Sequence, residues 1–168
     1  AGLTPAAILI THGHSDHIGG NASLKKRWPD CRLIIGEADA EKLGDANLNL
    51  SAPFGFEILS PPADVLVNDG DVFTEAGIEV EVRAIPGHSA GHVVYVCHKH
   101  EPILVFVGDV IFAGSVGRTD FFDGDFQTLA DGIRSKLFTL PDSTTLFPGH
   151  GPSTTVGREK RSNPFVRP

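Results

Sequence analysis

The sequence has little cysteine, few basic side chains and no long hydrophobic run. Its 168 residues include 14 Lys and Arg against 21 Asp and Glu, which gives a formal net charge of -7 at pH 7. Nucleic acids and anionic membranes bind basic faces, so this balance argues against both as partners. The sequence shows no signal peptide and no apolar stretch of membrane length, so the cytosol is the expected location.

The two cysteines, Cys31 and Cys97, each adjoin an apolar, strand-like run, and neither stands in a metal-ligand spacing. We therefore expect buried free thiols rather than a disulfide, in keeping with a reducing compartment. Hydrophobic residues make up 40% of the chain and charged residues 21%, which is ordinary for a globular protein. With no repeat and no linker in the sequence, we expect a single domain over residues 1–168.

Short helical and strand-like segments alternate along the chain. Residues 20–28 are expected to form a helix with Asn21 as its cap, and residues 126–138 a second helix capped by Asp125. A short helix is expected over 37–43 and an irregular stretch over 45–62. Strands are expected at 6–10, 33–35, 65–67, 72–74, 78–85, 93–96, 103–107 and 144–147, those from 65 to 107 as antiparallel hairpins. This mixture predicts a layered α/β fold.

The most informative segment is Thr11-His12-Gly13-His14-Ser15-Asp16-His17, which places three imidazoles and a carboxylate directly after an apolar run. Such a run ending in polar residues is typical of a buried strand that delivers side chains to the edge of a sheet. Imidazole and carboxylate are ligands that first-row transition metals share. A surface loop with solvated histidines is the alternative, but crowded imidazoles have no structural benefit unless a cation holds them together.

Three more candidate ligands, His88, Asp109 and His150, follow predicted strand ends, each directly after a glycine. Taken singly, each has a structural explanation as a loop histidine or a turn acid. Together with the first motif they make seven groups, too many for one tetrahedral ion, and they suit two metals with Asp109 as a bridging carboxylate. Such a pair activates water at neutral pH and polarises a carbonyl group under attack.

The run His12-x-His14-x-Asp16-His17, followed in order by His88, Asp109 and His150, resembles the metallo-β-lactamase superfamily. Residues 108–120 and 148–157 resemble its glyoxalase II-like (hydroxyacylglutathione hydrolase-like) branch. The ending at 159–165 is similar to that of the compact, single-domain members. The resemblance covers nearly the whole chain.

The resemblance implies an α/β protein with an αββα sandwich, and a metal-dependent hydrolase that acts on small-molecule thioesters such as S-lactoylglutathione. A metal-bridging hydroxide would attack the thioester carbonyl, with Asp16 and Asp109 as the catalytic carboxylates. One metal would take His12, His14 and His88, and the other Asp16, His17 and His150, with Asp109 between them. Zinc is the usual metal, although iron or manganese also fits mixed nitrogen and oxygen ligands.

The sequence departs from that family in two places. The strands that normally precede the His-rich motif are absent, so we expect an N-terminally truncated sandwich whose first sheet exposes an edge. The C-terminal helical domain that helps to hold glutathione in the family is also absent, so strong selectivity for glutathione is not expected.

Two alternatives remain open. A persulfide dioxygenase on the same fold would hold one iron through His12, His88 and Asp109. A catalytically silent metal-binding remnant would follow from the missing strands. A lactonase or a β-lactamase is less favoured, because the residues around Asp109 resemble neither closely.

Several other residues have two explanations each. For Arg118 and Asp120, the explanations are a salt bridge with each other or contact with substrate. For His92, they are orientation of a ligand or contact with substrate. Lys160 and Arg161 meet a substrate carboxylate or are solvated, and His98 and His100 are expected to be solvated. The phenylalanines Phe54, Phe56, Phe121 and Phe122 wall a pocket or, more commonly for such residues, pack in the core.

Overall fold

A computed structural model describes residues 2–168 and contains two main sheets. The first sheet has three parallel strands in the order β1-β2-β3: β1 (Ala7–Ile10), β2 (Arg32–Gly36) and β3 (Val65–Val67). The second has six strands in the order β11-β10-β7-β6-β5-β4: β4 (Val72–Glu75), β5 (Ile78–Ala84), β6 (Val93–Cys97), β7 (Leu104–Gly108), β10 (Thr145–Pro148) and β11 (Thr154–Thr155). A small hairpin, β8 (Ile111–Phe112) and β9 (Ser115–Val116), follows β7.

The helices are short. They are α1 (Ser15–Ile18), α2 (Asn21–Arg27), α3 (Phe126–Gly132), which continues as a π-helical segment (Ile133–Leu137), and α4 (Val156–Ser162). A 3₁₀ helix spans Glu37–Gly44 and a 3₁₀ turn spans Ala52–Phe54. Over residues 2–168, no helix is both long enough and apolar enough to cross a membrane.

Three apolar clusters hold the layers together. Between the sheets, Ile34 and Val67 meet Val82 and Tyr95. On the outer face of the first sheet, β1 and β2 pack against α1 and the Glu37–Gly44 helix. On the outer face of the second sheet, strands β6, β7 and β10 pack against α3, its π-helical extension and α4. The layers are therefore helix, sheet, sheet and helix, and the predicted αββα sandwich is confirmed.

The structure corrects two local predictions. Residues 65–67 do not form a hairpin with the next strand, because β3 pairs with β2 in the first sheet and β4 belongs to the second. The turn at 68–71 is therefore the crossing between the sheets. Asn21 is not the cap of α2: Gly20 holds that position, and the buried Asn21 amide donates to Ser60 Oγ at 3.0 Å.

Other predictions hold. Strands β4 to β7 form consecutive antiparallel pairs, and Asp125 Oδ1 accepts the Thr128 amide at 2.7 Å as the cap of α3. Cys31 and Cys97 are buried free thiols. Strand β1 lies at the edge of its sheet, and within residues 2–168 no strand pairs with its outer side.

Candidate metal centre

The strands bring the seven candidate ligands to one edge of the sandwich. In the second sheet β5, β7 and β10 run in the same direction, because β10 is parallel to β7 and β6 is antiparallel to both of its neighbours. His88, Asp109 and His150 follow the carboxyl ends of these three strands. The amide of Val93, where β6 begins, donates to Thr11 O at 2.8 Å and joins the end of β1 to the same edge.

His12, His14 and His88 form one group, the first trio. His88 Nε2 lies 3.2 Å from His12 Nε2 and 3.0 Å from His14 Nδ1. His88 Nδ1 donates to the carbonyl of Arg118 at 2.8 Å, so in neutral His88 a lone pair, and no proton, is left at Nε2. A tetrahedral cation with metal–nitrogen bonds of about 2.0–2.1 Å places its ligand atoms about 3.3 Å apart, close to these distances.

Asp16, His17 and His150 form the second trio. His150 Nε2 lies 2.9 Å from Asp16 Oδ2, and His17 Nε2 lies 3.5 Å from the same oxygen. This trio is more open than the first, since the side chains of Asp16 and His150 are 55% and 58% exposed whereas His12 is fully buried. A metal held here would be more accessible to solvent than one held by the first trio.

Asp109 lies between the two trios. Its Oδ1 is 3.4 Å from His17 Nε2, and its Oδ2 is 3.6 Å from His150 Nε2 and 3.7 Å from His88 Nε2. Over the described residues, the buried Asp109 Oδ1 and His17 Nε2 have no partner with hydrogen-bond geometry. Buried polar atoms are rarely left unpaired, so these orphaned atoms fit the ligands of a cation.

Burial keeps the first trio neutral. It lowers the pKa of His12 well below its usual value, lowers that of His14 to about 4, and lowers that of His88. Burial would also lower the pKa of His17, but the carboxylates of Asp109 and Asp16 outweigh it and raise the pKa. Unprotonated imidazoles have free lone pairs at neutral pH, as metal binding requires.

His92 contacts the backbone of a candidate ligand, Asp109. It is fully buried, its ring stacks on that of His12 with centroids 4.7 Å apart, and its Nε2 accepts the Asp109 amide at 3.1 Å. Gly108 adopts a φ of +48°, and a side chain there would collide with His92 and Thr11. Because Gly108 has no side chain, His92 can approach closely enough to accept the Asp109 amide and fix the backbone there. Of the two explanations given for His92, the structure supports orientation.

A buried ionic cluster that the sequence did not reveal supports the first trio. The Asp39 carboxylate accepts hydrogen bonds from the amides of Gly13 and Gly91, both at 2.8 Å, and from the Ser89 hydroxyl. Lys42 Nζ lies 3.2 Å from Asp39 and 2.6 Å from Asp123. The cluster connects the loop of His12 and His14 to the loop of His88.

A cavity of about 640 Å³ opens above both trios. His14, Asp16, His88 and Asp109 form its floor. Its walls are mostly apolar: Leu50, Phe54, Phe56, Ile58, Phe112, Val116 and Phe121 line it, together with Ser15, Ser51 and Arg118. For the four phenylalanines discussed from the sequence, core packing was the more common explanation. Three of the four line the cavity instead, and the ring centroid of Phe122 lies 5.8 Å from Lys42 Nζ.

One wall of the cavity is fixed by Asn49. Its side chain is fully buried, donates to the carbonyls of Lys42 and Ile58 at 3.1 and 2.7 Å, and accepts the Ser51 amide at 3.0 Å. Between Asn49 and Ser51, Leu50 has a φ of +66°, a strained conformation for a residue with a branched side chain. Strain of this kind persists only where the surrounding contacts enforce it.

The opposite wall is held by the C-terminal helix. The fully buried Glu159 carboxylate accepts the amide of Gly114 at 3.0 Å and the side chain of Asn163 at 2.9 Å. Asn163 also donates to the carbonyl of Ser115 at 3.0 Å. The ending that resembles compact family members therefore braces the β8–β9 hairpin.

The remaining charged candidates are paired. Arg118 donates to Asp120 through Nε and Nη2 at 2.7 and 2.6 Å, which is the salt bridge considered from the sequence. Lys160 lies 3.0 Å from Asp142, and neither Lys160 nor Arg161 lines the cavity. These two are therefore not placed to meet a substrate carboxylate at the cavity floor.

The chain is similar to proteins of a known family. The model of the metallo-beta-lactamase superfamily matches residues 1–150. The chain is 40% identical to a probable metallo-hydrolase, YqgX, of Bacillus subtilis and 39% identical to the hydroxyacylglutathione hydrolase GloC of Haemophilus influenzae. Each match covers 98% of this chain and 77% of the relative.

Solved structures are similar as well. The BLEG-1 B3 metallo-beta-lactamase is 37% identical with a TM-score of 0.92, over 98% of this chain and 78% of that one. TTHA1623 in a di-iron-bound form is 37% identical with a TM-score of 0.85, over 98% and 79%. ETHE1 from Myxococcus xanthus is 29% identical with a TM-score of 0.76, over 97% and 63%.

Proposed function

The chain belongs to the metallo-β-lactamase superfamily, and on this premise we propose that it is a dinuclear metal-dependent hydrolase of acyl thioesters. The observation that carries the proposal is the position of Asp109. Its two carboxylate oxygens lie within 3.7 Å of nitrogen atoms from both trios. A carboxylate shared in this way suits two cations better than one.

In this proposal the first trio would hold one divalent metal and the second trio the other, and Asp109 would serve as a ligand shared by the two. Metals at these positions, when bound, lower the pKa of water and polarise a carbonyl oxygen. The chain's own groups orient the site: the Arg118 carbonyl fixes the His88 tautomer, and His92 fixes the backbone of Asp109. Such outer contacts set ligand geometry and basicity.

In this proposal the substrate binds in the cavity. A thioester carbonyl that reaches the floor of His14, Asp16, His88 and Asp109 would have apolar walls on both sides of the substrate. Hydrolysis then yields a carboxylic acid and a free thiol. The relative named hydroxyacylglutathione hydrolase supports a thioester as the substrate class.

Zinc is the metal we propose, with iron and manganese as the other cations that suit this ligand set. Mixed imidazole and carboxylate ligands accept all three. The di-iron-bound form of TTHA1623, a similar structure, supports two metals rather than one, and it supports iron as much as zinc.

Two other reactions are alternatives to thioester hydrolysis. The likeness to ETHE1 keeps a persulfide dioxygenase with one iron in view, and the likeness to a B3 metallo-beta-lactamase keeps β-lactam hydrolysis in view. The dioxygenase would need only His12, His88 and Asp109. The close approach of Asp16, His17 and His150 favours the dinuclear hydrolase.

The test combines elemental analysis with three assays on one preparation: hydrolysis of S-lactoylglutathione and simpler thioesters, hydrolysis of a chromogenic β-lactam, and oxygen uptake with glutathione persulfide. We expect two metals per chain and thioester hydrolysis. The variant His150→Ala should lose one metal and most turnover, while His98→Ala, at an exposed site, should lose neither. One iron with persulfide-dependent oxygen uptake would overturn the proposal, as would a folded, fully metallated protein that cleaves no thioester.

A further inference from the structure

We propose that the cavity selects uncharged, apolar acyl thioesters over anionic glutathione conjugates, an inference that rests on the proposed hydrolase function. It concerns the part of the substrate that does not react. The name of one relative points to glutathione as the carrier, whereas the walls of this cavity point to a different chemistry.

The first argument is the surface that a substrate would touch. Seven apolar side chains line the cavity, and four of them are phenylalanines: Phe54, Phe56, Phe112 and Phe121. Phe54 and Phe56 are 72% and 65% exposed, which is costly for large apolar side chains that no ligand covers. An apolar acyl chain would cover them.

The second argument is charge. Among the described residues that line the cavity, Arg118 is the only lysine or arginine. Asp120 engages its guanidinium at two points, and the Phe121 ring lies 4.5 Å from it. The hydrogen bond from Arg118 lowers the pKa of Asp120 to about 2, so the carboxylate stays ionised. A glutathione carrier has two carboxylates, and the charge of the cation that could pair with them is already neutralised by Asp120.

The third argument is that one apolar wall is built in advance. Leu50 keeps its left-handed backbone because the buried side chain of Asn49 ties the loop to Lys42 and Ile58. The carbonyl of Asn49 also accepts the Ser15 amide at 2.9 Å, which ties the loop to α1 and its ligands. A wall held in this way does not have to form on binding, so it favours apolar contact.

The experiment measures binding, so it does not depend on turnover. Calorimetry on the protein as isolated would compare non-hydrolysable thioethers: S-butyl- and S-hexyl-N-acetylcysteamine against S-hexylglutathione. We expect the neutral S-hexyl ligand to bind at least about tenfold more tightly than S-hexylglutathione. Its affinity should exceed that of the S-butyl ligand by about threefold for each methylene, within the limit set by burial of a CH₂ group. Equal or tighter binding of S-hexylglutathione, or affinity independent of chain length, would overturn the inference.

A variant tests the charge argument separately. Asp120→Asn leaves Arg118 without its ionised partner, so S-hexylglutathione should bind about tenfold more tightly while the neutral ligand is unchanged. Asp131→Asn, which alters an exposed pair with Arg134 outside the cavity lining, is the matched control and should change neither. An unchanged ratio in Asp120→Asn would count against the inference. Selective binding without thioester turnover would refute the hydrolase proposal but not the selectivity of the cavity. Thioester turnover without selective binding would refute the selectivity but not the hydrolase proposal.

Discussion

The buried carboxylate of Asp39 accepts a 2.8 Å hydrogen bond from the amide of Gly13, the residue between His12 and His14. The same carboxylate accepts the amide of Gly91, beyond His88, also at 2.8 Å. One side chain therefore sets the distance between the two loops that supply the first trio. Burial would raise the pKa of Asp39, but Lys42 and these hydrogen bonds outweigh it, so the group stays ionised.

Asp39→Asn should loosen the first trio. The amide keeps the shape but turns a donor toward a backbone N–H, and it leaves Lys42 with Asp123 as its remaining carboxylate. We expect metal affinity to fall about 10- to 100-fold, as for other changes behind metal ligands. The free energy of unfolding of the metal-free protein should fall by ~2–4 kcal/mol. Competition with a chelator and urea unfolding measure the two effects.

The matched control for that change is Asp142→Asn, which alters an exposed pair with Lys160. Exposed pairs contribute ~0–1 kcal/mol, so both measurements should stay near those of the parent protein. Unchanged metal affinity in Asp39→Asn would show that the two loops keep their positions without this carboxylate.

Asp109→Asn should remove the link between the metals while leaving the sandwich folded. An amide cannot present two anionic oxygens, so we expect the bound metal to drop from two ions to at most one and turnover to fall at least ~100-fold. Elemental analysis and a thioester assay check this, with circular dichroism to verify the fold. Two retained metals together with full turnover would show that Asp109 does not bridge.

The stability of the metal-free protein should depend on pH between about 7 and 4. Burial lowers the pKa of His14 to about 4 and of His92 to about 3, against ~6.5 in the unfolded chain. The unfolded chain then binds more protons, so this stability is complete above pH 6.5 and is lost as the pH falls toward the folded values. His17, with its raised pKa, acts in the opposite direction.

We expect the metal-free protein to lose ~3 kcal/mol or more between pH 7 and 4, measured by urea unfolding at several pH values. His92→Gln should flatten the profile. His100→Gln, at an exposed histidine between β6 and β7, should leave it unchanged. A flat profile for the parent protein would mean that these imidazoles stay neutral only because a metal holds them.

The sequence predicted the ligands better than their supports. The ligands stand in short motifs directly after strands, so His88, Asp109 and His150 were recognisable from local pattern, and the structure brings them to the first motif. Asp39 stands in a helical segment with other acidic and basic residues, and nothing local distinguishes it from a solvated side chain. Its role depends on contacts with residues 26 and 52 positions away in sequence.

The fold shows the same division. The layered sandwich and the antiparallel β4–β7 order followed from β-branched runs and turn residues. The pairing of β3 with β2 could not be predicted in this way. The same turn residues can close a hairpin or, as at 68–71, connect two sheets. Helix α4 was not predicted, because Val156 is the one large apolar side chain among its seven residues and they show no helical hydrophobic period. The cytosolic location and the single domain stay predictions.

Glu159 shows how a buried acid in α4 acts on the cavity, and it gives the last prediction. Its carboxylate accepts from Gly114, Asn163 and the Thr154 hydroxyl, so Glu159→Ala leaves three donors, two of them on buried residues, without this acceptor. Each such loss costs ~1 kcal/mol or more, so unfolding should become easier by ~3 kcal/mol. Because the β8–β9 hairpin carries Phe112 and Val116, KM for an apolar thioester should rise several-fold while two metals stay bound. Arg161→Ala, at an exposed side chain of the same helix, should change neither quantity. If Glu159→Ala lost metal while KM stayed unchanged, α4 would act on the candidate ligands and not on the cavity wall.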